Sequence, residues 1–311
     1  RARRRRAEDA APHRRRQLVD RDPVKVLITG AGGMLGRAST DALSTRGHEV
    51  VALPREELDV LDAAEVTIAV ERELPDVVLN CAAWTDVDGA EAHEEAATLV
   101  NDRAAAVLAA AADTAGASFV YPSSDYVFDG RKPGPYVERD MPAPLSAYGR
   151  SKLAGETSVA VANSRHLIVR SSWLFGVGGA NFVETMLRIG AEEQEVIVVN
   201  DQIGLPTYTR HLAGGIASLI DAQATGIYHV AASSPCSWFD FAQEIFDQAG
   251  LECQVMAGTT EMLARPAPRP AYSVLGTAHG DTPVLPSWQE GLAAYLVERE
   301  SGAGLEAGEA A

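Results

Sequence analysis

A tyrosine and a lysine stand four residues apart in the stretch SAYGRSKLAGE, residues 146–156, which has the pattern of a helix start. At this spacing Tyr148 and Lys152 share one helix face. A free phenol has a pKa of about 10, and a neighbouring ammonium group favours the phenolate and lowers that pKa. The pair could therefore exchange a proton near neutral pH. The alternative is a solvent-exposed Tyr–Lys pair, since a bare YxxxK motif is common by chance.

A hydroxyl group is predicted close to this pair. The segment YPSSDYVFDG follows an apolar run that reads as a buried strand ending at Ser123–Ser124. Doubly wound sheets bind their ligands outside the carboxyl ends of their strands. Ser124 could therefore hold the carbonyl oxygen of a substrate beside Tyr148.

A glycine-rich turn occurs earlier in the chain. VLITGAGGMLGRA sets Gly30, Gly33 and Gly36 after a strand and at a helix start. Such glycines allow a tight turn and a close approach of a pyrophosphate to the backbone, and the helix N-terminus supplies free N–H donors. A glycine-rich turn needs no ligand by itself. Together with Ser124 and the Tyr148–Lys152 pair it predicts a hydride-transfer site of the short-chain dehydrogenase/reductase type, in which Lys152 also bonds the nicotinamide ribose.

The choice between the two nicotinamide cofactors is left open by the second strand. Pro54 and Arg55 stand where an NAD-binding chain would have an acid for the ribose 2′-hydroxyl. An arginine there favours a 2′-phosphate and hence NADPH, but Arg55 could equally be a solvated loop residue, and NADH stays possible. Asp59 and Val60 follow and could contact the adenine.

Apolar runs bounded by turns alternate with helical patterns through the first half of the chain. Near-continuous apolar strands separated by helices predict a parallel sheet covered on both faces, which is a doubly wound α/β (Rossmann) fold. The predicted strands are Val24–Thr29, Glu49–Leu53, Asp76–Asn80, Ser118–Ser124 and His166–Ser172, with helices starting near Leu35, Ala63, Ala92 and Ser146.

The pattern loosens after residue 172 and predicts a smaller C-terminal substrate-binding lobe. Residues 1–22 are expected to be a disordered basic arm, 23–172 the dinucleotide-binding domain, 173–299 the lobe and 300–311 a disordered tail. Strands at Glu195–Val199 and Gly226–Ala231 are expected to return in part to the main sheet, and a helix follows Ser237.

Charge and cysteine content exclude several classes. The net charge is −16 although the first residues are rich in arginine. A folded body this acidic repels phosphate backbones, so no nucleic-acid partner is expected for it. The three cysteines are widely spaced and predict neither a disulfide framework nor a zinc site. With no secretory signal and no apolar run long enough to cross a bilayer, a cytoplasmic protein without a membrane partner is expected.

Six segments, taken in order, resemble the dTDP-4-dehydrorhamnose reductases, which are extended short-chain dehydrogenases. The resemblance spans about residues 24–298 and is carried by LITGAGGMLG, LNCAAWTDVDGAE, SSDYVFDG, YGRSKLAGE, RSSWLFG and DQIGLPT. It implies reduction of the 4-keto group of dTDP-4-dehydro-6-deoxy-L-mannose to dTDP-L-rhamnose by NADPH or NADH. Tyr148 would be the proton donor, with Lys152 as its partner. Ser124 stands where the family often has threonine.

The resemblance also implies contacts for other residues. Asp125 and Trp173 would contact the substrate, although Asp125 could instead cap a turn and Trp173 could be a core residue. Arg265 or Arg269 could clamp the nucleotide diphosphate, or lie on a loop surface. Trp84 departs from the smaller or polar residue expected at its position. Beside the cofactor the resemblance places Gly33, Met34, Leu35, Ala82, Ala83 and Trp84.

Two other functions remain open at this level. Another sugar-nucleotide epimerase, dehydratase or reductase of the same superfamily would share these motifs. A non-catalytic regulatory subunit, like that of methionine adenosyltransferase, resembles the same reductases, but loss of the tyrosine or lysine would favour it and both are present. A homodimer is possible, as is a bridging Mg²⁺, which the sequence does not locate.

Overall fold

The computed structural model describes residues 22–309. The predicted basic arm, residues 1–22, lies outside this range except for Asp22. The strands are β1 Lys25–Thr29, β2 Glu49–Leu53, β3 Val77–Asn80, β4 Ser118–Ser124, β5 His166–Ser171, β6 Leu174–Phe175, β7 Glu195–Val199, β8 Ile203–Gly204, β9 Thr207–Tyr208, β10 Gly226–His229, β11 Cys236–Ser237 and β12 Gln254–Gly258. The helices are α1 Met34–Thr45, α2 Ala63–Glu73, α3 Val87–Ala92, α4 Glu94–Thr98, α5 Ala105–Thr114, α6 Ala147–Ala162, α7 Phe182–Glu192, α8 Thr209–Asp221, α9 Trp238–Ala249, α10 Thr260–Leu263 and α11 Trp288–Glu309.

Six strands form one parallel sheet in the order β10-β5-β4-β3-β1-β2. Alternate residues of a strand point to opposite faces. In β1, Leu27 packs into one apolar cluster with α2 and α5, whereas Val26 and Ile28 pack into another with α1 and α8. Both faces are therefore covered, and the predicted doubly wound fold is confirmed.

The helix that carries the Tyr–Lys motif begins one residue after its predicted start. Ser146 is the N-cap of α6, and its hydroxyl accepts a hydrogen bond from the N–H of Gly149 at 3.1 Å. Gly155 lies against Tyr121 of β4, where a Cβ would come within 3.0 Å of the Tyr121 ring. Because of this close approach, α6 crosses directly beside the end of β4.

The second half of the chain contributes to the sheet and also forms smaller pairs. β10 joins the main sheet beside β5, as predicted, whereas β7 pairs with β12 instead. A third core, rich in aromatic side chains, holds β7 and β12 against α7, α9 and α11. The division into a dinucleotide domain and a lobe stays a prediction that we return to below.

The C-terminal end differs from the sequence-based expectation in one respect. α11 continues to Glu309, where a disordered tail was expected from residue 300. Nothing among the helices of residues 22–309 combines the length and apolar character needed to cross a membrane.

Candidate active site

The carboxyl ends of the parallel strands bring polar side chains to one edge of the sheet. Ser124 ends β4 and is paired with Ser171, which ends β5. At the ends of β1 and β3, Thr29 Oγ1 donates to Asn80 Oδ1 at 2.8 Å. Since ligands of doubly wound sheets bind at this edge, a binding site is expected here.

The three glycines of the β1–α1 turn have different roles. Gly30 has φ +63°, and a Cβ there would lie 2.7 Å from the Cα of Ala82. A Cβ on Gly36 would lie 2.7 Å from the Cα of Ala31. At Gly33 the nearest atom would be 3.5 Å away, which is an ordinary contact. Gly30 and Gly36 therefore permit backbone packing, whereas Gly33 keeps the turn open on its outer side.

The start of α1 is suited to bind an anion. Gly33 is the N-cap and offers no side chain to the first helical turn, which includes Met34 and Leu35. Uncapped N–H groups and the helix dipole attract phosphate oxygens. A cleft of about 570 Å³ adjoins this turn and is lined in part by Gly32, Met34, Arg37 and Pro54. These residues fit a dinucleotide, because they combine free N–H donors and space with the Arg37 guanidinium, although Asp41, Glu57 and Glu298 also line the cleft.

The two residues predicted to contact the adenine differ in exposure, and their contact with a cofactor stays a prediction. Val60 is buried in the core cluster that contains α2 and α5. The Asp59 carboxylate accepts a hydrogen bond from the N–H of Leu61 at 3.0 Å and so stabilises a turn. Arg55 is exposed and directly follows Pro54 of the cleft.

The segment after β3 runs between the glycine turn and α6. Ala82 contacts Gly30, and exposed Ala83 follows it. The Trp84 backbone N–H donates to Asn101 Oδ1 at 2.9 Å, and its indole Nε1–H donates to the carbonyl of Asp86 at 2.8 Å. The Trp84 and Tyr148 side chains both pack on a small apolar cluster of Ala90, Ala97 and Ala147. The structure thus links the predicted cofactor side to the tyrosine.

Tyr148 is half-buried at the start of α6, edge-on to the ring of Tyr126 at 6.0 Å. Burial raises the pKa of Tyr148 to about 12, a hydrogen bond with Ser124 acts in the opposite direction, and the charge of Asp125 raises it further. The expectation that Lys152 lowers this pKa is wrong for the structure, because loss of solvent dominates. At neutral pH the phenol is protonated.

Lys152 lies one helical turn further along and is almost fully buried. Its ammonium donates to the carbonyl of Pro122 at 2.8 Å and lies 4.2 Å from the centre of the Tyr121 ring. Burial lowers the pKa of Lys152 to about 7, although the negative charge of Glu156 raises it. The amino group is therefore anchored to the backbone near the carboxyl end of β4.

Asp125 is 1% exposed and is surrounded by three serine hydroxyls. Ser124 Oγ donates to it at 3.1 Å, Ser172 Oγ at 2.9 Å and Ser273 Oγ at 2.5 Å. Burial raises the pKa of Asp125 to about 6, against the effect of these hydrogen bonds. Its carboxylate is thus occupied with orienting the serines, among them Ser124. We call these four residues the serine cage.

Trp173 follows the end of β5 and is half-buried. Its backbone has φ +47°, which is rare for a bulky residue. Its ring stacks on Trp238 with 3.6 Å between ring centroids and an interplanar angle of 7°. The side chain is thus packed on an aromatic partner without being fully buried, and its contact with a substrate stays a prediction.

Arg265 and Arg269 are both tied to Asp88 at the start of α3. Arg265 Nε donates to Asp88 Oδ2 at 2.8 Å and Arg269 NH1 donates to Oδ1 at 3.0 Å. The neighbouring guanidinium groups hold the pKa of Asp88 at about 2 even though burial alone would raise it. Arg269 is 9% exposed and Arg265 is 62% exposed, so only Arg265 is mainly a surface residue.

A buried ion pair beneath the site was missed in the sequence. Arg170 Nε and NH2 donate to the two carboxylate oxygens of Glu156 at 2.8 and 2.6 Å, and both residues are less than 5% exposed. Ser123 Oγ also donates to Glu156 at 2.6 Å. Glu156 stands four residues after Lys152, a spacing that could have identified it. Arg170 is distant in sequence and gave no such signal.

The described part of the chain holds no cluster of three or more His, Cys, Asp or Glu side chains arranged for a metal ion. Cys81, Cys236 and Cys253 are free thiols.

A six-stranded parallel sheet with this glycine turn, and with the Tyr–Lys helix beside its strand ends, defines the class of extended short-chain dehydrogenases. Residues 24–301 match the family described as RmlD substrate binding domain, so the chain belongs to the RmlD family. This family includes dTDP-4-dehydrorhamnose reductases, which are oxidoreductases.

Three relatives illustrate the match. The chain is 42% identical over 279 residues to the spore coat polysaccharide biosynthesis protein SpsK of Bacillus subtilis, covering 89% of this chain and 98% of the relative. It is 44% identical over 256 residues to a dTDP-4-dehydrorhamnose reductase of Streptomyces griseus, covering 80% and 84%. The crystal structure of a Bacillus anthracis dTDP-4-dehydrorhamnose reductase in complex with NADP aligns with a TM-score of 0.85 and 39% identity, covering 89% of this chain and 100% of that one.

Proposed function

We propose that this protein reduces the 4-keto group of dTDP-4-dehydro-6-deoxy-L-mannose to give dTDP-L-rhamnose, with Tyr148 as the proton donor. The observation that carries the proposal is the position of the Tyr148 phenol close to the Ser124 hydroxyl at the strand ends, one helical turn from the buried amino group of Lys152. The names of the relatives supply the substrate.

The proton chemistry follows from the phenol. With a pKa of about 12, Tyr148 carries its proton throughout the neutral range. On substrate binding, the Ser124 hydroxyl would turn its proton from Asp125 to the substrate carbonyl oxygen, and Tyr148 would protonate that oxygen as negative charge develops on it. General acid catalysis of this kind contributes about 10²- to 10⁴-fold to the rate. Lys152, fixed by Pro122, would bond the cofactor ribose and keep the cofactor aligned with the substrate.

We propose NADPH as the cofactor, which would supply the hydride. The relative solved with NADP supports this choice. The backbone N–H groups of Met34 and Leu35 at the open Gly33 turn would hold the pyrophosphate. Arg37 lines the cleft and Arg55 lies next to it, so a 2′-phosphate would find positive charge there.

The substrate would lie across the boundary at residue 172. We propose that residues 23–172 with β10 form the dinucleotide domain and that 173–299 form the substrate lobe. Trp173 would contact the sugar, and Arg269 the diphosphate, because guanidinium groups match phosphate oxygens. Asp125 would act through Ser124 rather than by direct contact.

The test is a cofactor oxidation assay with the dTDP-4-ketosugar, run separately with NADPH and NADH, with the product identified by NMR. Ketosugar-dependent NADPH oxidation that yields dTDP-L-rhamnose is expected. Protein that retains bound NAD and interconverts sugar nucleotides with no net cofactor oxidation would contradict the proposal.

Tyr148→Phe tests the proton donor. Phenylalanine keeps the ring contact with Tyr126 and the packing on the alanine cluster but removes the proton, so kcat should fall by about 10²- to 10⁴-fold. NADPH binding, followed by fluorescence, should be unchanged. Tyr228→Phe is the matched control, because Tyr228 lies on the edge strand β10 and its hydroxyl donates to Asp281. Near-wild-type turnover in Tyr148→Phe would refute the assignment.

A further inference from the structure

The indole of Trp173 is held from two sides by residues of the C-terminal half. Trp238 covers one ring face in a nearly parallel stack with centroids 3.6 Å apart. Gly204 closes on the nitrogen-bearing side, where an added Cβ would lie 2.6 Å from Cζ2 and 2.8 Å from Nε1 of Trp173. Only a glycine permits this approach. We call Trp173, Trp238 and Gly204 the indole clamp.

The two jaws of the clamp are fixed to each other. β11 pairs antiparallel with β8, so Cys236 is opposite Gly204 and Ser237 is opposite Ile203. Trp238 is the next residue and begins α9, where Ser237 and Asp240 form a reciprocal capping box. Phe182 supports the outer side of Trp238, with ring centroids 4.5 Å apart. Trp238 and Gly204 are therefore held in place relative to each other without any ligand.

The indole clamp holds Trp173 in a conformation with two unfavourable features. Its positive φ is strained for a bulky side chain. Its indole Nε1 is buried and makes no hydrogen bond among the described residues, which is a second unfavourable feature. The packing of Trp238 and Gly204 must outweigh both.

We propose that Trp238 is a positioning residue for substrate binding, because it and Gly204 hold the exposed part of the Trp173 indole as a preorganised wall for the apolar C–H face of the hexose. The inference rests on the proposed function, since it takes the sugar nucleotide as the ligand. Preorganisation of this kind acts on substrate affinity, because a loose indole must be ordered again upon binding.

The experiment perturbs each jaw separately. Trp238→Leu removes the stack and Gly204→Ala displaces the indole from the other side. Trp238→Phe keeps an aromatic face and should partly rescue Trp238→Leu. Trp288→Leu is the matched control, because it removes an indole of the same core that packs edge-on against Phe241 rather than on Trp173.

Two readouts are needed. Two stacked indoles give an exciton couplet in far-ultraviolet circular dichroism, which should be lost in both Trp238 variants and kept in Trp288→Leu. The KM for the ketosugar should rise about threefold to tenfold in Trp238→Leu and Gly204→Ala, the scale of one aromatic pair, while kcat and NADPH affinity change little.

Folded Trp238→Leu and Gly204→Ala with wild-type KM would overturn the inference, as would an equal effect in Trp288→Leu. If Trp238→Leu does not fold, Gly204→Ala decides by the same criterion. Failure of the proposed function would give a different result, because wild-type protein would then show the couplet but no ketosugar-dependent turnover. In that case the sugar would no longer be the ligand of the clamped indole.

Discussion

Replacing Asp125 by asparagine should remove a loss of stability that the wild type undergoes as the pH rises to neutral, and it should lower activity. The Asp125 carboxylate is 1% exposed and is balanced by three serine hydroxyls rather than by a positive charge in direct contact. A carboxylate buried among neutral donors is unfavourable unless hydrogen bonds replace its hydration in full. Asparagine has nearly the same shape and carries no charge.

The magnitude follows from the pKa. Burial raises the pKa of Asp125 from 3.8 to about 6. The unfolded chain then loses this proton near its ordinary pKa while the folded protein keeps it to about pH 6, so wild-type stability falls between these two values. The displacement corresponds to about 3 kcal/mol. Asp125→Asn does not titrate, and it should gain about 3 kcal/mol over wild type as the pH rises from about 4 to 7.

The measurement is urea denaturation followed by circular dichroism at several pH values across this range. The quantity of interest is the difference in unfolding free energy between wild type and variant, because titrations of other groups cancel in it. Asp113→Asn, which removes an exposed carboxylate on α5, is the matched control. A difference for Asp125→Asn that changes with pH no more than that of Asp113→Asn would refute the reasoning.

The activity of Asp125→Asn should be lower than that of the wild type. Asp125 Oδ1 accepts from Ser124, and Oδ2 accepts from Ser172 and Ser273. An amide group replaces one acceptor by a donor, so at least one serine must turn away. If that serine is Ser124, which also accepts from the Tyr126 N–H, the hydroxyl beside Tyr148 loses its orientation. Loss of one hydrogen bond to a charged group corresponds to about 10- to 100-fold in kcat/KM.

Two further predictions concern the support of the site. Arg170→Met should cost about 3–5 kcal/mol of unfolding free energy because it leaves Glu156 buried without its partner, and the double variant with Glu156→Leu should recover most of this loss in a urea double-mutant cycle; additive losses would contradict the pairing. Gly33→Ala should fold normally yet weaken NADPH binding in a fluorescence titration, whereas Gly36→Ala should lower the melting temperature, because only the second Cβ meets backbone; equal melting temperatures would argue against this difference.

Local sequence patterns predicted the strand, the glycine turn and the helix at the proposed nucleotide site well. The glycine turn, the strand before it and the helix after it are contiguous, so their period and spacing determine the structure. The same holds for α6, where Tyr148 and Lys152 are one turn apart. The pKa of Tyr148 was not predictable, because it depends on how deeply the packed fold buries the ring. Val60 illustrates the same limit, since its position next to a predicted strand end did not reveal that it faces the core.

The substrate side is different because its contacts join distant segments. Ser124 and Trp173 lie at the ends of neighbouring strands of the main sheet, whereas Gly204, Trp238 and Ser273 belong to later segments. The short strand β8 connects these groups: the N–H of Ser273 donates to the carbonyl of Ile203 at 2.9 Å, and Gly204 is opposite Cys236 next to Trp238. The serine cage and the indole clamp therefore share one two-residue strand and can form only when these later segments have packed on the main sheet. A polar cage and an aromatic clamp that depend on this docking leave no periodic signal in the sequence, which explains why the dinucleotide turn was visible and its substrate-side counterpart was not.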